Sequence, residues 1–333
     1  MAGRGARLIG AITVVIAMAA LAPFAAARGT HHHPHKPKCL TTRVLLLGSY
    51  PAEVRANLAL EKLQPKQPTV VSGHDFYVGT LAGKHVILGL SDQSPAQAHS
   101  VTAMAIKHFT CISAVVFEGT AGGGSATAIG DVAVPGEWTY NGASYVRTSP
   151  RPLALVKSLF AAATPKLLTR DVVNDSGCSC DGPSFATAIA VTIGRPQVIV
   201  GGAGITDPTG VSNDCTADGG ALEGCNPCPP CPATELSSGT ALSASTYVTD
   251  TGSPPKLTTS SGIAPAGYLA DDEQTTAVQQ AANQAKLPFI AFRGISDTSA
   301  VGSLWPAEFA IYQQLAADNA AIVARAFIAA WRG

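Results

Sequence analysis

The chain has 333 residues, of which 46% are hydrophobic and 13% are charged, with 22 basic and 22 acidic side chains. This length allows one large domain or two average ones, and the apolar fraction allows a sizeable core. Because the formal net charge is zero and no basic stripe is present, the composition excludes the electrostatic footprint of a nucleic-acid-binding protein.

The N-terminus has the pattern of a secretory signal peptide. Two arginines precede an apolar stretch at residues 8–21, which is short for a membrane span, and small residues allow cleavage after Ala27. An uncleaved anchor is the alternative. We interpret residues 1–27 as a signal peptide and residues 28–40 as a disordered leader rich in histidine and proline. The sequence thus predicts a secreted or extracytoplasmic protein without a stable membrane span after cleavage.

Eight cysteines accompany this signal: Cys39, Cys111, Cys178, Cys180, Cys215, Cys225, Cys228 and Cys231. Since exported chains meet oxidising conditions, the cysteines in loop-like surroundings are expected to form disulfides, although spacing does not give the connectivity. Cys111 precedes an apolar strand and is expected to be a buried free thiol, unless the odd cysteine pairs with it. The Cys-x-x-Cys spacings within residues 225–231 are also compatible with zinc. We favour disulfides, so neither a metal nor a cofactor is predicted.

Alternating apolar and amphipathic segments predict an α/β domain over residues 41–333. The pattern predicts strands at 43–48, 70–71, 76–80, 86–90, 114–118, 131–134, 197–201, 246–249 and 289–295. It predicts helices at 51–63, 94–109, 153–163, 272–285 and 307–331. Residues 207–240 are rich in Gly, Pro, Asp and Cys, which indicates a long loop held by cysteines. The alternation favours a single-domain, three-layer α/β/α fold with a mixed central sheet.

Polar motifs follow several of these strands. The run Phe292-Arg293-Gly294-Ile295-Ser296-Asp297 puts Asp297 just past the carboxyl end of a predicted strand, where open α/β sheets bind ligands. The glycine-rich run 119–124 follows the strand that begins at Ala114, and the run 129–134 comes soon after. Glu53 lies just after the first strand.

In their order and spacing, these four motifs resemble those of the nucleoside phosphorylase and nucleosidase superfamily. The resemblance is nearest to the 5′-methylthioadenosine/S-adenosylhomocysteine nucleosidase branch and the plant bark storage proteins, and it extends from about Arg43 to the C-terminus. It implies a nucleoside phosphorylase-like fold, a small-molecule nucleoside as ligand and a homo-oligomer, for which we expect a dimer.

The resemblance assigns the two catalytic carboxyl groups. Asp297 corresponds to the general acid that protonates the purine ring, and Ser296 would orient it. The alternative is that Ser296 and Asp297 cap a following helix. Glu53 corresponds to the glutamate that holds or deprotonates the attacking water. The alternative is a solvated glutamate that is favoured by the helix dipole in a first turn.

The expected grip on the ribose hydroxyls departs from the family pattern. Counted back from Pro288, the position of the family's glutamate holds Gln274, and the preceding methionine position holds Glu273. Gln274 can accept a hydrogen bond through its amide oxygen but carries no charge. A shift of one residue would let Glu273 serve instead, so both are candidates.

The remaining substrate contacts are also implied by the resemblance. Backbone amides of Gly119, Thr120 and Ala121 would lie near the sugar and the water, because glycine permits close approach. Ile205 and Thr206 fall where the family contacts the base.

Three functions remain open from the sequence. The first is an exported nucleosidase that hydrolyses the N-glycosidic bond of a purine nucleoside or thio-nucleoside. The second is a non-catalytic nucleoside-binding or storage protein of the same fold. The third is a phosphate-dependent phosphorylase, which we favour less because no arginine precedes Glu53 in the first strand-to-helix turn.

Overall fold

The computed structural model describes residues 39–63, 67–92, 94–124, 126–140, 144–169, 193–206, 258–259, 262–263, 268–298 and 305–333. These residues belong to one compact unit, Cys39–Gly333. The predicted signal peptide, most of the leader, the cysteine-rich loop and the predicted strand at 246–249 lie outside the described residues, as do the six cysteines from Cys178 onward.

Fifteen strands and five helices are formed by the described residues. The strands are β1 Arg43–Gly48, β2 Lys62–Leu63, β3 Thr69–Val71, β4 His74–Leu81, β5 Lys84–Leu90, β6 Ile112–Gly123, β7 Val132–Val134, β8 Glu137–Tyr140, β9 Ser144–Arg147, β10 Val198–Val200, β11 Ala203–Thr206, β12 Thr258–Thr259, β13 Gly262–Ile263, β14 Tyr268–Asp272 and β15 Phe289–Thr298. The helices are α1 Pro51–Leu60, α2 Pro95–His108, α3 Pro150–Ala162, α4 Thr275–Gln284 and α5 Trp305–Ala330.

Thirteen of these strands form one mixed sheet. Its main path is β2-β4-β5-β1-β6-β14-β11-β8-β9, and β15 pairs with β6 and β7. The central strands β5, β1, β6 and β15 run parallel, so their carboxyl ends meet at one edge of the sheet. Strand β14 runs antiparallel to the end of β6, which brings the residues after β14 back toward that edge. We call it the carboxyl edge.

Helices cover both faces of the sheet, as the alternating burial of strand side chains requires. On one face, Val44 and Leu46 of β1 pack with α1, α3 and α5. On the other, Leu45 and Leu47 pack with α2 and α4. The predicted three-layer α/β/α arrangement with a mixed central sheet is therefore confirmed.

Several predicted boundaries differ from the structure, such as the starts of α3 at Pro150 and of α4 at Thr275, and two of the differences bear on the site. Helix α1 ends at Leu60 rather than residue 63, because the chain turns into β2. Strand β6 continues to Gly123 through the segment predicted as a glycine-rich turn, since β15 pairs with it along its length. Strand β15 continues to Thr298, so Ser296 and Asp297 lie inside a strand, and the helix-capping alternative is wrong.

The opposite, amino edge of the sheet carries a disulfide. Cys39 and Cys111 are joined, with their Cα atoms 5.5 Å apart and a sequence separation of 72 residues. The expectation that Cys111 is a free thiol is therefore wrong, because the segment before β1 runs beside the start of β6, where Arg43 N–H donates to the carbonyl of Cys111.

No described helix is both long and apolar enough to cross a membrane. Within the same residues, no group of three or more histidine, cysteine, aspartate or glutamate side chains is placed to hold a metal ion.

Candidate active site

The carboxylate of Glu53 is clamped at the carboxyl edge by four hydrogen bonds. Its Oε2 accepts from the backbone N–H and hydroxyl of Ser49, at 2.5 and 2.6 Å. Its Oε1 accepts from the backbone N–H and hydroxyl of Thr120, at 2.7 and 3.1 Å. Burial raises the pKa of Glu53, while the positive charge of Arg293 and the hydrogen bonds oppose that rise. Because both oxygens accept backbone N–H groups, the geometry favours the anion.

Gly119 makes room for this carboxylate. A Cβ atom at Gly119 would overlap the Glu53 carboxyl group and lie 2.5 Å from Nη1 of Arg293. Any side chain would thus force Glu53 and the guanidinium apart, which is a physical reason for a glycine at this position of the strand.

Arg293 is the cation of the site. Its Nε donates to Asp272 at 2.6 Å and its Nη2 to the hydroxyl of Thr275 at 2.9 Å, and its guanidinium lies over the ring of Phe117, 3.9 Å from the centroid. Nη1 lies 3.8 Å from Oε1 of Glu53 and has no hydrogen-bond partner among the described residues. At this separation the two groups form a buried ion pair without a direct hydrogen bond.

Asp297 lies at a β-bulge. The register of β15 against β6 pairs Ile295 with Ala121 and Asp297 with Gly122, so Ser296 is the extra residue. Bulges redirect side chains and are frequent beside active sites. The Ser296 hydroxyl donates to Oδ1 of Asp297 at 2.6 Å and lies 3.3 Å from the carbonyl of Ala121. Burial raises the pKa of Asp297 to about 6, against the effect of the Ser296 hydrogen bond.

The segment 129–131 fixes this bulge from the other side. Gly130 N–H donates to the carbonyl of Ile295, whose own N–H donates to the carbonyl of Asp131. The Asp131 carboxylate accepts from Ala128 and Gln197 backbone N–H groups at 2.9 and 2.7 Å. The third predicted motif therefore supports the site and does not supply a reacting group.

Glu273 faces the same site. Burial raises its pKa to about 8, and the negative charges of Asp272, Glu53 and Asp297 add to that rise, while Arg293 opposes it. Its coupling to both Glu53 and Asp297 means that all three carboxyl groups share one region. Gln274 is buried, and its amide nitrogen donates to Glu273 at 3.4 Å. Of the two candidates for the ribose grip, Glu273 is the one that interacts with both predicted catalytic carboxyl groups.

Thr206 contributes to the frame of the site. Its hydroxyl donates to Oδ1 of Asp272 at 3.2 Å and accepts from the N–H of Thr276. The neighbouring Ile205 is fully buried in β11. Contact of Ile205 or Thr206 with a base stays a prediction, as do the substrate roles of Gly119, Thr120 and Ala121.

The structure brings together Glu53, Asp297, Ser296, Glu273 and the run 119–121, all named from the sequence. It adds Arg293, Asp272 and Tyr50, which the sequence reasoning did not assign to the site. Tyr50 shares a hydrogen bond with Thr120, 3.0 Å between their hydroxyl oxygens. The sequence could have indicated Arg293, because an arginine inside an apolar strand is buried only when it is paired or functional.

This arrangement can perform acid–base chemistry. A carboxyl group with a pKa near 6 can donate a proton close to neutrality, and a clamped carboxylate two β6 residues away can accept one from water. Ser296 contacts Ala121, and Thr120 contacts Glu53, so the two groups are linked through adjacent positions of β6.

Comparison with known proteins adds a family and a fold. A family model described as "Phosphorylase superfamily" matches residues 42–189. The uncharacterized protein Rv2293c of Mycobacterium tuberculosis is 34% identical over 197 residues, which cover 56% of this chain and 76% of that protein. The uncharacterized protein Rv2292c of the same organism is 39% identical over 70 residues, which cover 20% of this chain and 95% of that protein.

Three solved structures illustrate the shared fold. A 5′-methylthioadenosine/S-adenosylhomocysteine nucleosidase of Neisseria meningitidis has 15% identity and a TM-score of 0.53, covering 87% of this chain and 100% of its own. An S-adenosylhomocysteine nucleosidase of Streptococcus pyogenes has 17% identity and a TM-score of 0.56, with coverages of 89% and 100%. A futalosine hydrolase of Helicobacter pylori has 13% identity and a TM-score of 0.55, with coverages of 86% and 97%. At these identities the likeness concerns the fold.

Proposed function

Because the chain belongs to the phosphorylase superfamily, we propose that it is a nucleosidase that hydrolyses the N-glycosidic bond of a purine nucleoside or thio-nucleoside. The observation that carries the proposal is the pairing of two carboxyl groups with different environments at one edge of the sheet. Glu53 is clamped by four donors, whereas Asp297 has one hydroxyl partner and a raised pKa. Environments that separate two carboxyl groups in this way are typical of an acid and a base.

In this mechanism Asp297 donates its proton to the leaving base as the bond between the sugar C1′ and the base nitrogen breaks. A water forms the new bond to C1′ and passes a proton to Glu53. The proton returns from Glu53 to Asp297 through solvent after the products leave, so the net reaction consumes one water. Each proton transfer contributes roughly 10²–10⁴-fold in such reactions.

The negative charge of Glu53 supports water as the nucleophile. A neutral water can donate to the Glu53 carboxylate without charge repulsion, and Nη1 of Arg293 forms an ion pair with the same carboxylate at 3.8 Å. Arg293 also interacts with Asp272, so part of its charge is already neutralised. A phosphate dianion would meet Glu53 at this position, and like charges close together are unfavourable. Hydrolysis is therefore favoured over phosphorolysis.

Glu273 is proposed as the ribose grip. A carboxyl group beside the sugar can form hydrogen bonds with the ribose hydroxyls, and Glu273 already interacts with Glu53 and Asp297. With this assignment the site keeps a carboxyl group for the ribose, although the position of the family's glutamate holds the uncharged Gln274. A non-catalytic binding or storage protein is the second candidate, and Gln274 is the observation that favours it.

Export and a homodimeric state complete the proposal. The signal-like N-terminus supports a secreted or extracytoplasmic location. The Cys39–Cys111 disulfide fits an oxidising compartment.

The deciding experiment measures free-base release from methylthioadenosine, S-adenosylhomocysteine, adenosine and inosine, with and without phosphate. We expect phosphate-independent release of at least one base, and a loss of kcat of roughly 10²–10⁴-fold in Asp297→Asn. Asp318→Asn is the matched control, because it makes the same change on α5, where the carboxylate accepts from Gln314. Ligand-induced stabilisation without release from any substrate would instead favour the binding protein, and strict phosphate dependence would favour a phosphorylase.

A further inference from the structure

A further buried carboxyl group, that of Glu118, lies behind Glu53 and takes no part in the proposed mechanism. It belongs to β6, directly before Gly119, and its exposed fraction is 0%. Its partner is Asn57 of α1, whose Nδ2 donates to Oε2 of Glu118 at 2.7 Å. Asn57 follows Glu53 by four residues, so the two side chains lie on the same face of α1, one turn apart.

If Glu118 is a carboxylate, two polar atoms of this pair lack hydrogen bonds. Among the described residues, Oε1 of Glu118 and Oδ1 of Asn57 are both buried without a hydrogen-bond partner. Both atoms are acceptors when Glu118 is ionised, so neither can satisfy the other. One proton on Oε1 changes this, because a carboxylic acid can donate to an amide oxygen while it accepts from the amide N–H. The result is a cyclic pair with two hydrogen bonds.

The charges around Glu118 do not compensate an anion there. Arg293 of β15 is engaged with Asp272 and Thr275, and Glu53 of α1 is itself acidic. Arg325 of α5 exerts a favourable field, yet no ion pair between Glu118 and a described basic side chain lies within 4.0 Å. An unpaired buried carboxylate is strongly unfavourable, whereas a neutral acid with a partner is tolerated.

We propose that Glu118 is a positioning residue, held as a neutral carboxylic acid in a cyclic pair with Asn57 that fixes α1 and leaves Glu53 as the carboxylate anion facing the reacting water. Asn57 also lies 3.4 Å from the carbonyl of Ala321, so the pair joins β6, α1 and α5 at one point. Loss of the proton would leave two acceptor oxygens facing each other and would add a second negative charge behind Glu53.

The ionisation behaviour agrees with this geometry. Burial raises the pKa of Glu118 to about 8. The Asn57 hydrogen bond lowers it, the Glu53 charge raises it, and Arg325 and Arg293 lower it. Since the ordinary value is 4.5, the proton contributes stability in full below pH 4.5, and this contribution is lost as the pH rises to about 8.

The first test measures thermal stability against pH for the wild type, Glu118→Gln and Glu61→Gln. A glutamine side chain is a neutral isostere that can form the same cyclic pair with Asn57. The advantage of Glu118→Gln over the wild type in melting temperature should widen between pH 4.5 and about 8 and then stay constant. Glu61, whose pKa burial also raises to about 8, should show the same widening. A constant difference for Glu118→Gln over this range would show an ionised Glu118 and overturn the proposal.

The second test measures kcat/KM against pH and asks whether Glu118 positions Glu53 or is only buried. It rests on the proposed function. With Asp297 as the acid, kcat/KM should fall about tenfold per pH unit above about 6. Ionisation of Glu118 should add a second tenfold loss per unit above about 8. Since the pKa of Glu273 is also raised to about 8, the loss due to Glu118 is the difference between variants. Above pH 8 the loss per pH unit should be about tenfold smaller in Glu118→Gln than in the wild type and in Glu61→Gln, at the end of α1. Equal losses in the wild type and Glu118→Gln would contradict a positioning role.

A third measurement needs no turnover. The infrared spectrum of the wild type at pH 7 should contain the carbonyl band of a protonated carboxyl group that titrates near pH 8. Glu118→Gln should remove part of that band, and an unchanged band would overturn the neutral state. Absence of any nucleosidase activity would defeat the proposed function, while the stability and infrared measurements would still decide the protonation and pairing of Glu118.

Discussion

The two edges of the central sheet handle charge in opposite ways. At the carboxyl edge, Glu53, Asp272 and Arg293 are buried and each has fixed partners. At the amino edge, Arg151 and Arg332 are exposed and line a cleft with Trp331 and Lys84. Buried charges thus occupy the carboxyl edge, and solvated cations occupy the amino-edge cleft.

The difference between buried and solvated charges indicates which edge contains the active site. Buried charges are costly, so they persist where other groups pair with them or where chemistry needs them. Solvated cations cost little, and the ion pairs they form contribute little to stability. The amino-edge cleft is lined by solvated cations, whereas the carboxyl edge has Asp297 and Glu273, whose pKa values burial raises.

The two edges can be compared by replacing one arginine with methionine at each, Arg293 at the carboxyl edge and Arg151 at the amino edge. The larger loss of stability is expected for Arg293→Met. Removal of the guanidinium leaves Asp272 buried without its cation, which should cost about 3–5 kcal/mol of unfolding free energy. Urea denaturation would measure it. The double variant Arg293→Met with Asp272→Asn should recover part of the loss, and strict additivity of the two changes would argue against the pairing.

A second prediction concerns the covalent link at the amino edge. Replacement of both Cys39 and Cys111 by serine should cost about 2–5 kcal/mol, because the disulfide closes a long segment of chain. Urea denaturation of the wild type and the double variant, both without a reductant, would measure the difference. Kinetic constants should change little, since the carboxyl edge lies at the other end of the strands. A loss of activity at constant stability would contradict this separation.

The smallest effect is expected for Arg151→Met, the counterpart of Arg293→Met. The Arg151 guanidinium lies over the Trp331 ring, 4.6 Å from the centroid, and is exposed. Exposed cation–π contacts contribute about 0.5–1 kcal/mol, so the loss should not exceed that amount. A cost comparable with that of Arg293→Met would remove the distinction between the two edges.

The sequence alone determined the fold class and most of the strands and helices. Apolar runs such as Arg43–Gly48 and Phe289–Ile295 have the length and composition of buried strands, and Ser94 with Pro95 marks the start of α2. The resemblance to the superfamily also identified Glu53 and Asp297 as candidates, and both were predicted to lie just after apolar strands, at the edge where ligands bind in α/β sheets.

Only the tertiary structure decided how these groups are partnered. Hydrogen bonds from Thr120 to Glu53, the ion pair of Arg293 with Asp272 and the bulge at Ser296 each depend on strands distant in sequence. The pairing of Cys39 with Cys111 and of Glu118 with Asn57 has the same origin. Local sequence sets the periodicity of burial, whereas register and the close approach of distant segments depend on packing of the whole sheet. A charged residue inside an apolar strand indicates that the residue needs a partner, and the fold determines which residue becomes that partner.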